Sequence, residues 1–283
     1  MTGWQGGATA RHLKKAGHRV IGITHTPSKV AKVKDLGIEA AVADLRDAAA
    51  LIPHLIGADG FYLVTDPFAR HVETQDEAVW VEDEVRQGRE ALRAARKAEV
   101  PHVVLSSVTI AALEHGYPIH KTKISIEKEA EELGLACTIL RPPWFMEDWV
   151  LGVVTKTPTP FPESGQMGFP SGGMKADTPL PHIATYDIGR AAAWAFEHFD
   201  RSVGQAWELV GELTTYPAIA KTLSKMWGRP LTFAEVPPTK DDFPVNPSLV
   251  RREYEWDVGQ WETKFGFRMT TFEEFISRYV KSP

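Results

Sequence analysis

In the first half of the chain, short apolar runs are set apart by longer stretches in which apolar residues recur every three or four positions. The runs at 19–24, 39–43, 60–65, 102–107 and 136–141 predict strands, and the periodic stretches at 9–16, 28–36, 48–56, 74–99 and about 121–133 predict helices. Gly17 and Gly37 stand where two of those helices must stop. Strands this short and apolar, each followed by a helix, indicate an α/β fold: a doubly wound parallel sheet covered on both faces.

The alternation fails after Pro142 and Pro143. Residues 151–182 are rich in Pro, Gly and Ser and predict an irregular cover over the strand ends, the edge at which open α/β sheets bind ligands. A helix resumes at 187–196, followed by a strand at 206–210, a helix at 216–227, a strand near 231–236 and a C-terminal segment at 272–280. The expected division is a sheet domain over 1–150 and a smaller C-terminal α+β substrate lobe over 151–283, with 187–210 packing back on the sheet domain.

Composition narrows the chemistry. The 283 residues are 43% hydrophobic, enough for a large core, and a formal net charge of −5 gives no broad attraction to nucleic acid or an anionic membrane. No apolar run approaches the roughly 18 residues of a membrane helix and the N-terminus lacks an apolar signal core, so the expectation is a soluble, cytoplasmic protein. Cys137 is the single cysteine, which excludes an internal disulfide and a cysteine-based zinc site, and its apolar surroundings predict core packing. The histidines lack metal-site spacing, and neither a Gly-x-Ser-x-Gly elbow nor a phosphate loop with Lys-Ser/Thr occurs, so no metal is expected.

Two segments carry binding chemistry. Met1 to Gly7 is glycine-rich and runs directly into a helix; it reads either as a plain turn or as a loop whose amides approach a pyrophosphate at a helix N-terminus. At the end of the strand expected at 19–24, Thr24 to Lys29 offers no carboxylate for the ribose hydroxyls of a dinucleotide, whereas His25, Ser28 and Lys29 suit a 2′-phosphate, which favours NADP(H) over NAD(H).

Met1-Thr-Gly-Trp-Gln-Gly6 resembles the end of the loop Gly-Ala-Thr-Gly-x-Gln-Gly of the NmrA-like family, atypical short-chain dehydrogenase/reductases of Rossmann type. The resemblance runs on through Ala43 to Asp47, Val64-Thr65, Gln87-Gly88, Pro101 to Ser107, Leu140 to Glu147 and Asp187 to Arg190. It implies that Gly3, Trp4, Gln5, Gly6, His25, Lys29, Asp44, Leu45, Thr65 and Lys123 contact the dinucleotide, with Asp44 and Leu45 beside the adenine. It places Trp144, Phe145 and Trp149 near the substrate. The family's first strand and first loop glycine are missing, which predicts an unpaired seam in the sheet and suggests a start site set too far downstream.

Short-chain reductases use a Tyr proton donor and a Lys four residues later, and Tyr117 and Lys121 have this spacing. The resemblance instead aligns Lys123 to Glu127 with the family's Lys-x-x-x-Glu helix, which makes Lys123 the cofactor lysine and leaves Ile119 in place of the usual Tyr. Pro118 also argues against helix across 117–121. Lys123 and Tyr117 are therefore the catalytic candidates, with His120 an alternative acid. Two functions are expected from the resemblance: an NAD(P)H-dependent reductase of a small, apolar carbonyl, quinone or imine, or a non-catalytic dinucleotide sensor working through a protein partner. A homodimer is a further possible assembly.

Overall fold

The computed structural model describes residues 3–66, 74, 76–110, 118–150, 165–170, 175–236 and 255–279. The chain forms two compact units, one of Met1–Arg141 with Ile188–Glu208 and one of Pro142–Asp187 with Leu209–Pro283.

The first unit alternates helix and strand: α1 Trp4–Lys15, β1 Ile21–Thr24, α2 Val30–Lys34, β2 Glu39–Val42, α3 Ala48–Leu55, β3 Phe61–Val64, α4 Glu77–Lys97, β4 Val103–Ser106, α5 Pro118–Glu132 and β5 Cys137–Arg141. Strands β3, β4 and β5 pair in parallel in that order, and a later strand, β9 (Ala206–Glu208), adds in parallel beyond β5. Every residue of β4 is buried, as its unbroken apolar run requires of a strand covered on both faces. Leu51 and Leu55 of α3, Leu63 of β3, Ala91, Leu92, Ala94 and Ala95 of α4, Leu105 of β4 and Ile126 of α5 share one core. Gly88 lets α4 and α5 close up, because a Cβ there would meet the Ile126 side chain at 2.4 Å.

The sheet is not continuous. Strands β1 and β2 pair in parallel as a separate two-stranded sheet, and among the described residues no strand bonds to the second edge of β1 or of β3. Phe61 N–H donates to His102 O at 2.9 Å, so by the alternation of a ladder the amides of Tyr62 and Val64 point to the open edge.

Three expectations need correction. Helix α1 begins at Trp4 rather than Thr9, so Trp4, Gln5 and Gly6 form its first turn instead of a loop, with only Gly3 outside as the extended N-cap. Helix α5 begins at Pro118, a position where proline's missing N–H is no loss, so Pro118 opens the helix that it was read as excluding. The irregular cover at 151–182 contains two strands, β7 (Gln166–Pro170) and β8 (Leu180–Ile183); residues 151–164 and 171–174 lie outside the described set.

In the second unit, β6 (Trp144–Phe145), β8 and β10 (Glu212–Thr214) form one mixed sheet, and β7 pairs in parallel with β11 (Thr232–Val236). Helix α6 (Thr185–Glu197) and the short α7 (Phe199–Ser202) lead to β9, and α8 (Tyr216–Trp227), α9 (Gln260–Phe265) and α10 (Phe272–Tyr279) follow. Thr215 caps α8 through Ala218 N and Gly228 at φ 65 ends it. Ile219, Leu223, Phe272, Phe275 and Ile276 pack with Met146 and Val150 as this unit's core. Strand β10 and helix α9 are too short for the sequence pattern to have marked them.

Candidate functional site

The N-terminus of α1 has no side-chain cap and no acidic residue in its first turn, while Gly6 and Gly7 are buried. Among the described residues no side chain bonds its first backbone amides, and the helix dipole there favours negative charge. The Gln5 side chain fixes this end: its Oε1 accepts from Tyr62 Oη at 3.1 Å and Ser106 Oγ at 2.6 Å, tying α1 to β3 and β4. Burial pushes the Tyr62 phenol up to about 12, so it remains a neutral donor. Farther along, a Cβ on Gly189 of α6 would meet the backbone of Ala8 and Thr9 at 2.5 Å. The Asp187 to Arg190 motif thus includes a glycine that α1 requires.

One turn of α4 organises the ends of several strands. Glu84, fully buried, accepts at Oε1 from Thr65 Oγ1 at 2.7 Å and from Lys123 Nζ at 2.5 Å, and at Oε2 from Thr122 Oγ1. Lys123 Nζ also donates to Thr65 Oγ1 at 2.7 Å. Two of the predicted cofactor residues, Thr65 and Lys123, are in this way brought into direct contact. Next to Glu84, Asp83 accepts from Arg46 Nη1 at 2.9 Å, and Gln87 bonds both the N–H and the carbonyl of Asp66, after β3.

Arg46 also donates from Nε to Asp44 Oδ1 at 2.9 Å and from Nη2 to Oδ2 at 2.5 Å. That hydrogen bonding is the chief reason the Asp44 carboxyl lies below its usual range, with the charge of nearby His25 a lesser contribution. Asp44 therefore already has a guanidinium partner, which the sequence reading did not foresee. Leu45 packs on the first-unit core, and His25 and Lys29 are exposed.

On the other side of β4, Glu127 accepts from Ser107 Oγ and from Arg141 Nη2 at 2.7 Å, while Glu208 accepts from Ile110 N at 3.0 Å. Lys123 and Glu127, one turn apart on α5, thus hold the ends of neighbouring strands. Tyr117 lies outside the described residues, as does the side chain of Ile119.

The substrate candidates belong to the second unit. Trp144 is 39% exposed and Phe145 is half-buried. Trp149 Nε1 donates to Nε2 of His182 at 2.7 Å, so that nitrogen is an acceptor and Nδ1 carries the hydrogen, bonded to Leu180 O at 3.0 Å. Burial holds His182 down at about 4, in keeping with this neutral tautomer. The rings of Trp144 and Trp149 lie 6.0 and 5.7 Å from His182, and Tyr216 is 5.9 Å from Trp149. Glu147 anchors this segment by accepting from Thr185 N–H and Oγ1.

Glu84, Asp83 and His182 escaped the sequence reading. Glu84 had one signal: it heads the stripe Glu84, Gly88, Ala91, Ala95, whose other members are small core residues of α4. His182 had none beyond its place in an apolar run.

Residues 1–266 match the NmrA-like family. The chain belongs to the NmrA-like family. An NAD(P)H azoreductase of Xenophilus azovorans is 25% identical over 236 residues, 83% of this chain and 74% of that one. The NADPH-dependent quinone oxidoreductase QOR2 of Escherichia coli, solved with NADPH, has a TM-score of 0.77 at 21% identity, covering 99% of this chain and 98% of that one. NmrA, a negative transcriptional regulator solved with NADP, has a TM-score of 0.74 at 18% identity, covering 99% and 93%. The proteins to which this chain is similar thus include both reductase-named and regulatory ones. Among its described residues no helix is long and apolar enough to cross a membrane.

Proposed function

We propose that this NmrA-like protein is an NADPH-dependent reductase of a small, apolar carbonyl, quinone or imine substrate, with its dinucleotide site in the first unit. The observation that carries this reading is the uncapped N-terminus of α1 with its buried glycines, a donor set suited to a pyrophosphate. Gly3, Trp4, Gln5 and Gly6 would hold that group through backbone amides. His25 and Lys29, exposed and without a neighbouring carboxylate on their own turn, would take a 2′-phosphate, which favours NADP(H). Asp44 and Leu45 would flank the adenine, Asp44 acting through or after release from Arg46. Thr65 and Lys123 would meet the nicotinamide ribose.

Bound NADPH supplies the hydride; the chain's own groups orient and enclose. Lys123 has three N–H groups, two of which are engaged by Glu84 and Thr65, and the third is available to a ribose hydroxyl. Trp144, Phe145 and Trp149 would exclude water from the acceptor, with Trp149 fixed in orientation by His182. Tyr117 is retained as the candidate proton donor. The azoreductase and quinone oxidoreductase relatives support a reductase.

A second reading, a dinucleotide sensor, is favoured by Ile119 in place of the usual Tyr and by the NADP-bound regulator among the similar structures. NADPH oxidation measured across quinones, azo dyes, imines and carbonyls separates the two. Saturable, enzyme-dependent turnover of any acceptor class supports the reductase; tight NADPH binding with no turnover throughout the panel supports the sensor.

A further inference from the structure

We propose that Glu84 is a positioning residue for the dinucleotide, acting through Lys123, and this rests on the reading that Lys123 meets the nicotinamide ribose. One turn beyond Glu84 the contact between α4 and α5 has an apolar, close-packed part, with Gly88 against Ile126 and with Ala91, Leu92 and Ala130 buried in the same core. A hydrophobic pair would fill such a place as well, because a buried ion pair at best roughly breaks even against apolar residues of the same volume. The chain instead buries a carboxylate completely and a lysine to 7% exposure. Stability alone gives little reason for that choice.

The geometry gives another. Each oxygen of Glu84 is used, Oε1 by Thr65 and Lys123 and Oε2 by Thr122, so the carboxylate cannot swing without breaking bonds to β3's end and to α5. Lys123 Nζ is held from two directions, by Glu84 at 2.5 Å and Thr65 at 2.7 Å. An ammonium is tetrahedral, so fixing two of its N–H vectors sets the third, which has no partner among the described residues. A free lysine loses rotamer entropy when it is fixed. Glu84 imposes that loss during folding rather than on binding. The neutral pair then offers the ribose a pre-aimed hydrogen bond rather than an uncompensated charge.

The test is calorimetric titration of the full chain and of Glu84→Gln with two ligands, NADPH and adenosine 2′,5′-diphosphate, which lacks the nicotinamide ribose. Glu84→Gln is expected to weaken NADPH about tenfold, the loss of one well-aimed bond, and to leave adenosine 2′,5′-diphosphate unchanged. Lys123→Met is expected to show the same split. Equal loss for both ligands, or no loss for NADPH, overturns the positioning role while the dinucleotide site stands. Failure of the unaltered chain to bind either ligand overturns the underlying reading instead. If Glu84→Gln does not fold, Glu84→Asp, which keeps the charge one methylene short, is titrated with the same pair and must show the same split.

Discussion

A lysine buried beside a carboxylate changes what either residue's removal does. Taking away one partner strands the other charge, so Lys123→Met is expected to destabilise the first unit by about 3–5 kcal/mol, whereas replacing both partners with a well-packed apolar pair costs much less. Urea unfolding of Lys123→Met beside Glu84→Leu/Lys123→Met checks this: a double variant no more stable than the single would contradict it. Two histidines act on stability through pH. His102 donates from Nε2 to Thr138 Oγ1, which itself donates to Ser202 O, so its Nδ1 is bare and the ring is neutral. Burial holds both His102 and His182 at about 4. The unfolded chain takes up these protons near pH 6.5, the folded one only near 4, so stability is complete above about 6.5 and is lost as pH falls toward 4. Each contributes about 1.4 kcal/mol per pH unit in that window. The urea midpoint should drop from pH 7 to pH 5, and His102→Leu should flatten the slope by about half; an unchanged slope would show that His102 is not buried neutral.

At the scale of elements, the periods of the sequence located nearly every helix and strand of the first unit, because its strands are short apolar runs, β4 buried throughout, set between longer periodic stretches. What periodicity could not reveal was where α1 and α5 begin. Trp4 to Gly7 carry no apolar stripe, and the glycines that suggest a loop, Gly6 and Gly7, are buried within the first turns of the helix. Pro118 reads equally well as breaker or opener, and only the chain's path decides. Lys123 was singled out through the resemblance, whereas Glu84 was illegible because its contacts join it to residues 19 to 39 positions away. The close approach of α1 and α6 gives its own expectation. Gly189→Ala should lower stability by about 1–3 kcal/mol through overpacking against Ala8 and Thr9, measured as a shift of the denaturant midpoint; a neutral variant would show that the two helices move apart freely.

At the scale of the whole molecule, the described part of the first unit has two parallel sheets where a single one is usual for the fold. Hydrogen exchange reads this seam directly. The Tyr62 and Val64 amides, pointing to the open edge of β3, should exchange at least about tenfold faster than Leu63, which faces β4; equal protection would mean that a further strand pairs there. Everything proposed about chemistry rests on dinucleotide binding, and parallel calorimetric titrations with NADPH and NADH test that most directly. Saturable binding of NADPH, tighter than that of NADH by about tenfold or more, as a 2′-phosphate pairing with His25 and Lys29 requires, is the expected result. Absence of binding to both would contradict the account and leave the uncapped end of α1 without a ligand.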